Sequence, residues 1–142
     1  MRVLLVLVAT WAVVCVAPSW ALADTWKGTT RQGRGVVVHT GSDGVVARVR
    51  IGWRAHCGDG TYTSRTLFRA PLDEATTSSF ADAGRYRGHP PGYQSKIWVR
   101  IGGRLVDGSW RGTFRVRVRV THEGERVDTC RLKKLRWRAR PA

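Results

Sequence analysis

Cys57 and Cys130 carry the thiols in the body of the chain. Thiols have two uses here: a thiolate is a nucleophile, and two thiols oxidise to a bond that closes the chain between them. Arg115, Arg117 and Arg119 recur at every second position, with Lys133, Lys134 and Arg136 further on, and cations so grouped suit phosphate, sulfate or carboxylate groups. The other reactive types form no such group. Asp73 and Glu74 are adjacent and the remaining carboxylates are scattered among turns, so no pair stands out as a general acid and base. His39, His56, His89 and His122 share no metal-ligand spacing, and Asp43 and Asp59 sit in short turns with too few oxygen donors for calcium. No catalytic residue, metal or cofactor is expected.

Lysine and arginine number 25 against 10 aspartates and glutamates, a formal balance of +15. Between Arg111 and Arg140 there are 11 basic and 3 acidic residues, so the C-terminal third is the strongest basic segment. Like charges on neighbouring strands repel. A surface of this kind either tolerates that repulsion in salt or gains from binding polyanions. The partners implied are an anionic polymer or a membrane surface, with no specific nucleic acid predicted. The plainer alternative is a solvated basic face that keeps sheet edges from pairing. Arginine outnumbers lysine 21 to 4, which also fits a high-GC coding bias, so not every arginine need be a ligand contact.

Met1 to Ala23 reads as a cleaved signal peptide, with Arg2, an apolar run from Val3 to Ala17, Pro18, and the small-x-small pattern Ala21-Leu22-Ala23. The run, about 15 residues, is shorter than the roughly 20 of a membrane-spanning helix. Val13 and Val14 before Cys15 argue against lipid attachment there. Residues 24–142 then form one basic domain, secreted or held at the cell envelope, and expected to be a monomer. In an exported chain the two remaining cysteines most simply form a disulfide, Cys57–Cys130. Such a closure contributes about 4 kcal/mol in the chain-entropy treatment. A free reactive thiol is the alternative.

Periodicity of two dominates the chain, which is the period of a strand. Val45, Ala47, Val49, Ile51, Trp53, Ala55 and Cys57 share one face, with Arg48, Arg50 and Arg54 on the other. Phe114 to Val120 alternates without exception. From Arg126 to Ala139 the inward phase slips at Lys133-Lys134, which predicts a β-bulge. Turn signals at 40–44, 58–60, 102–103 and 122–125 separate the runs, the sharpest being Gly102-Gly103. Seven strands result, near 33–39, 45–57, 61–68, 94–101, 104–110, 112–121 and 126–139. An eighth is hidden around Phe80 to Tyr86, inside a stretch from Arg69 to Tyr93 too long for a plain loop. The predicted fold is all-β, an antiparallel up-and-down meander of about 7–8 strands closing into a small barrel, with a β-sandwich as the alternative. Trp53 and Trp137 fall on apolar faces. Trp98 falls with Lys96 and Arg100, so Trp98, with Tyr93 before it, is the candidate aromatic contact to a sugar or anion.

Trp26-x-Gly28-Thr29-Thr30-x-Gln32-Gly33, Cys57-Gly58-Asp59-Gly60, Gly112-Thr113-Phe114, and Cys130 followed by Trp137 together resemble a group of small exported proteins of high-GC, actinobacterial-type bacteria. That group carries no assigned activity, and the shared residues are turn glycines, tryptophans and the cysteine pair. The resemblance therefore implies an architecture and leaves function open. Val127-Asp128-Thr129-Cys130, with Arg136 downstream and His56 or His89 upstream, is distantly similar to the sortase family of cysteine transpeptidases. That likeness covers the last strand only and lacks the usual apolar-Thr lead-in.

These observations predict an exported, non-catalytic binding or envelope-associated protein that attaches to anionic surfaces or polymers through Arg115, Arg117, Arg119, Lys133, Lys134 and Arg136. One alternative is a small-ligand carrier with an aromatic-lined barrel mouth and the Arg69–Tyr93 stretch as its lid. The other is a sortase-like enzyme using Cys130.

Overall fold

Alternation of apolar and charged side chains makes the extended backbone the only conformation that buries one set and solvates the other. The chain accordingly forms nine antiparallel strands: β1 (Thr25–Thr30), β2 (Gly35–Thr40), β3 (Val46–Cys57), β4 (Gly60–Arg69), β5 (Glu74–Ala75), β6 (Ser79–Gly88), β7 (Gln94–Val106), β8 (Ser109–His122) and β9 (Glu125–Pro141). The computed structural model describes residues 24–142, so the expected signal peptide and Cys15 lie outside the described residues. Among the described residues no helix is long and apolar enough to cross a membrane.

Each strand except β4 pairs with its successor, and β9 returns to pair with β1, giving the sheet order β4-β3-β2-β1-β9-β8-β7-β6-β5. The long β9 holds this sheet together. Its C-terminal half lies between β1 and β8, while Arg131 in its N-terminal half pairs with His56 of β3. That pairing sets Cys57 beside Cys130, and the two form a disulfide with Cα atoms 4.0 Å apart.

The meander is the predicted one, but backbone pairing does not close it into a barrel. No ladder joins β4 to β6 among the described residues. Side chains bridge the seam instead: the Tyr62 hydroxyl lies 3.0 Å from Ser95 Oγ and the Tyr86 hydroxyl 2.8 Å from Thr66 Oγ1, which also accepts from Trp53 Nε1 at 2.9 Å. The core between the two halves of the sheet is aromatic at its centre. Phe114 packs on Trp53 and Phe68, and Trp110 lies between Trp26 and Phe80. Trp53, Trp110 and Phe114 are fully buried.

Three details correct the sequence reading. Gly102-Gly103 is not a turn, because β7 runs unbroken through it and the reversal falls at Asp107-Gly108, both at positive φ. Gly103 is there for close packing: a Cβ on it would stand 2.5 Å from the Phe80 ring and 2.9 Å from Trp137. Second, Ala47 is an extra residue in the β2–β3 ladder, so Val46, rather than Val45 and Ala47, turns into the core. Third, Trp26 to Thr30 belongs to a strand, β1, that the sequence reading passed over. The strand hidden in the 69–93 stretch is present as β6, and the bulge at Lys133-Lys134 is present too, with Phe114 opposite Leu135 and Val116 opposite Leu132.

Candidate functional site

Residues directly opposite in an antiparallel ladder project from the same face, so the registers assemble the outward side chains of β6 to β9 into rows that run across the strands. Arg85, Trp98, Arg117 and Arg131 form one row. The next holds Ala83, Arg100 and Arg115, with Lys133 and Lys134 both facing Arg115 because of the bulge. Then come Glu74, Ala81, Gly102, Thr113 and Arg136, and after them Ser79, Arg104, Arg111 and Arg138. The six cations expected from the sequence, Arg115, Arg117, Arg119, Lys133, Lys134 and Arg136, are thus brought onto one face. Sequence reading missed Arg100, Arg104, Arg111, Arg131 and Arg138, which share that face. Parity was the available signal for the β7 cations: Lys96, Trp98, Arg100, Gly102 and Arg104 are all even, and the supposed turn at Gly102-Gly103 hid it, whereas Arg111, Arg131 and Arg138 join the face only through the β7–β8 and β8–β9 registers.

Five registered pairs across β7, β8 and β9 set cation against cation. Lys96 lies opposite Arg119, Arg100 opposite Arg115, Arg104 opposite Arg111, Arg117 opposite Arg131 and Arg111 opposite Arg138. Among the described residues no lysine or arginine comes within 4.0 Å of a carboxylate oxygen, and the single acid–base contact is His122 to Glu123 at 3.9 Å. The crowding acts on Arg138, whose pKa is lowered first by Arg140, then by desolvation and by Arg111.

Trp98 projects outward as expected and carries two cations on its ring, the guanidinium carbons of Arg117 and Arg119 at 5.5 and 5.7 Å from the ring centre. The indole face so used is a cation–π platform. Tyr93 is not part of it. Just before β7 begins, it packs against His122 with ring centres 5.1 Å apart and planes tilted by 49°, and His122 Nδ1 lies 2.8 Å from the Gly92 carbonyl oxygen. Four residues of β7 lie between Tyr93 and Trp98, so five steps of extended chain, about 16 Å, part them.

Three shallow hollows adjoin one another on this face. One lies beside Trp98, Arg117 and Arg131, one on the Ala81-Gly102-Thr113 floor, and one between them at Ala83 and Arg100. Acids gather only at the β5 end, where Asp73, Glu74 and Asp82 line the middle hollow. Burial, together with neighbouring Asp73, holds the Asp82 carboxyl above its ordinary value, against the pull of hydrogen bonds from the Ala83 and Asp73 backbone.

Cys130 holds no thiolate in this form, being bonded to Cys57 and fully buried. Asp128 beside it serves the turn between β3 and β4. Its carboxylate accepts from the backbone N–H of Gly58 at 2.9 Å, Thr129 at 2.7 Å and Asp59 at 3.4 Å, bonds that lower its pKa, Gly58 most. About half of the 69–93 stretch expected as a lid is the strands β5 and β6, and Trp53 and Trp137, expected on apolar faces, are buried in the core together with Trp110. Among the described residues no group of three or more His, Cys, Asp or Glu side chains is placed to hold a metal ion.

No family model, no characterised protein and no solved structure matches the chain.

Proposed function

We propose that the protein is an exported, non-catalytic binding protein that attaches to anionic polymers or surfaces through the outer face of β7, β8 and β9. The observation that carries this reading is the set of five cation–cation pairs across those ladders with no carboxylate partner. Like charges directly opposite on a sheet are destabilising. A fold that sets them side by side, on strands whose inward faces are well packed, leaves their neutralisation to an anion from outside. Arg117 and Arg119 over Trp98 add a semi-rigid anchor, because a guanidinium held on an aromatic face loses less side-chain freedom on binding. The disulfide suits an oxidising compartment, and the expected signal peptide would deliver the chain there.

The test is direct binding of the disulfide-bonded protein to inorganic polyphosphate, to polygalacturonate and to vesicles of anionic lipid, with neutral dextran as the control. A basic residue near an anionic surface contributes about 1 kcal/mol. The variant Arg115→Gln/Arg117→Gln/Lys133→Gln/Lys134→Gln is therefore expected to bind roughly a hundredfold or more weakly at low salt. Unchanged binding by that variant, or none by the wild type, refutes the proposal.

A further inference from the structure

The rows on the basic face are not level. Glu74, Ala81, Gly102, Thr113 and Arg136 form a row in which the three middle positions all carry small side chains. It is flanked on one side by Arg104, Arg111 and Arg138, and on the other by Arg100, Arg115 and the bulged Lys133 and Lys134. The two flanking rows stand four residues apart along each strand, about 13 Å, and the row between them crosses four strand spacings, about 19 Å. The result is a trough running at right angles to the strands; its hollow of about 740 Å³ is lined by Arg104, Arg111 and Arg138 on one side and by Lys134 on the other, while Arg100 and Arg115 line the adjoining hollow. Its floor is neutral and its two walls are cationic. Phe80 and Trp137 close it from beneath.

We infer that this trough is the binding site for a single linear chain bearing repeated phosphate or carboxylate groups. The inference deepens the function proposed above and rests on it. Three physical points select that occupant. A flat lipid surface would meet the rim guanidiniums and leave the floor empty, whereas a lone chain lies on the floor with cations on both sides. A single-stranded nucleic acid gains from exposed aromatic faces on which its bases stack, whereas the rings beneath this floor, Phe80 and Trp137, are each only 3% exposed. Guanidiniums bind phosphate and carboxylate oxygens alike through paired N–H donors, so the wall chemistry fits a polyphosphate, a phosphodiester polymer or a polyuronate. The carboxylates of Asp73 and Glu74 stand at the β5 end, which sets the limit of the anion path and leaves the β9 end, at Arg136, open.

The floor can be filled without touching the charge. A Cβ on Gly102 meets nothing closer than the Phe80 carbonyl oxygen at 3.8 Å, so Gly102→Leu grows into the trough and leaves the core alone. Thr113→Leu does the same one strand over and is an independent check should either variant fold poorly. The disulfide-bonded wild type and both variants would be titrated with polyphosphate, oligogalacturonate, oligothymidylate and vesicles containing phosphatidylglycerol. Each filled variant is expected to lose tenfold or more in affinity for polyphosphate, oligogalacturonate or both, and less than twofold for vesicles. The two polymers distinguish a phosphate from a carboxylate source. Wild-type affinities retained by both variants overturn the trough while the broader function stands. A wild type that binds none of the anionic probes overturns both. Oligothymidylate bound as tightly as the polymers, and lost equally on filling, gives the trough to nucleic acid and refutes the occupant inferred here.

Discussion

Arg117 and Arg131 face each other directly across the β8–β9 ladder, and no carboxylate lies within 4.0 Å of either. Both are exposed, so water and salt screen the repulsion. What remains is a small, salt-dependent cost of folding. The variant Arg117→Gln should therefore be more stable than wild type by about 0.5 kcal/mol at low ionic strength, with the difference gone near 1 M salt. Denaturant melts at the two salt concentrations measure it. A variant less stable at low salt would show that the arginine supports the fold, through Trp98 or otherwise, more than it strains it.

Glycine at Gly112 is a packing requirement. A Cβ there would collide with the Gly102 carbonyl oxygen and lie 2.6 Å from the Trp137 ring. Gly112→Ala should cost about 3 kcal/mol or more, at the upper end for overpacked cores. Gly102→Ala, on the open side of the same sheet, should stay within about 1 kcal/mol of wild type, the ordinary cost of a tolerated change. Equal stability of the two variants would mean that both the Gly102 carbonyl and Trp137 can move aside.

The seam between β4 and β6 has a titratable member. Burial raises the Tyr86 phenol above its ordinary pKa of 10.0, opposed by its hydrogen bond with Thr66. The folded state then favours the neutral phenol more than the unfolded state does. Its contribution is complete below pH 10 and is lost as pH rises through the folded value. Tyr86→Phe should cost about 1 kcal/mol at neutral pH through the lost hydrogen bond, and should flatten the decline of stability above pH 10. Parallel alkaline melts of the two proteins, with the same slope in each, would contradict this.

The sequence pattern shows most of the fold where each strand's own alternation suffices. Phe114 to Val120 announces β8, and the phase slip at Lys133-Lys134 announces the bulge that sets two cations opposite Arg115. It misleads at Gly102-Gly103, because a glycine demanded by a distant ring and a glycine demanded by a turn look alike along the chain. The rings that decide the matter belong to Phe80 and Trp137, far away in sequence. The same misreading concealed the trough. Arg104 and Arg100 belong to one strand, on either side of Gly102, and only the register against β8 and β9 reveals them as opposite walls. Closure of the sheet was not legible either, since it rests on the hydroxyls of Tyr62, Thr66, Tyr86 and Ser95 meeting across the seam.

The central claim is that external anions neutralise the face built by β7, β8 and β9, and the salt dependence of polymer binding tests it most directly. Release of counterions makes log K fall linearly with log salt, with a slope near −0.7 per contact for a single-stranded polyanion. With about five contacts, affinity for polyphosphate or polygalacturonate, whichever binds, should fall roughly a hundredfold for a fourfold rise in salt. An affinity that barely responds to salt would contradict the account.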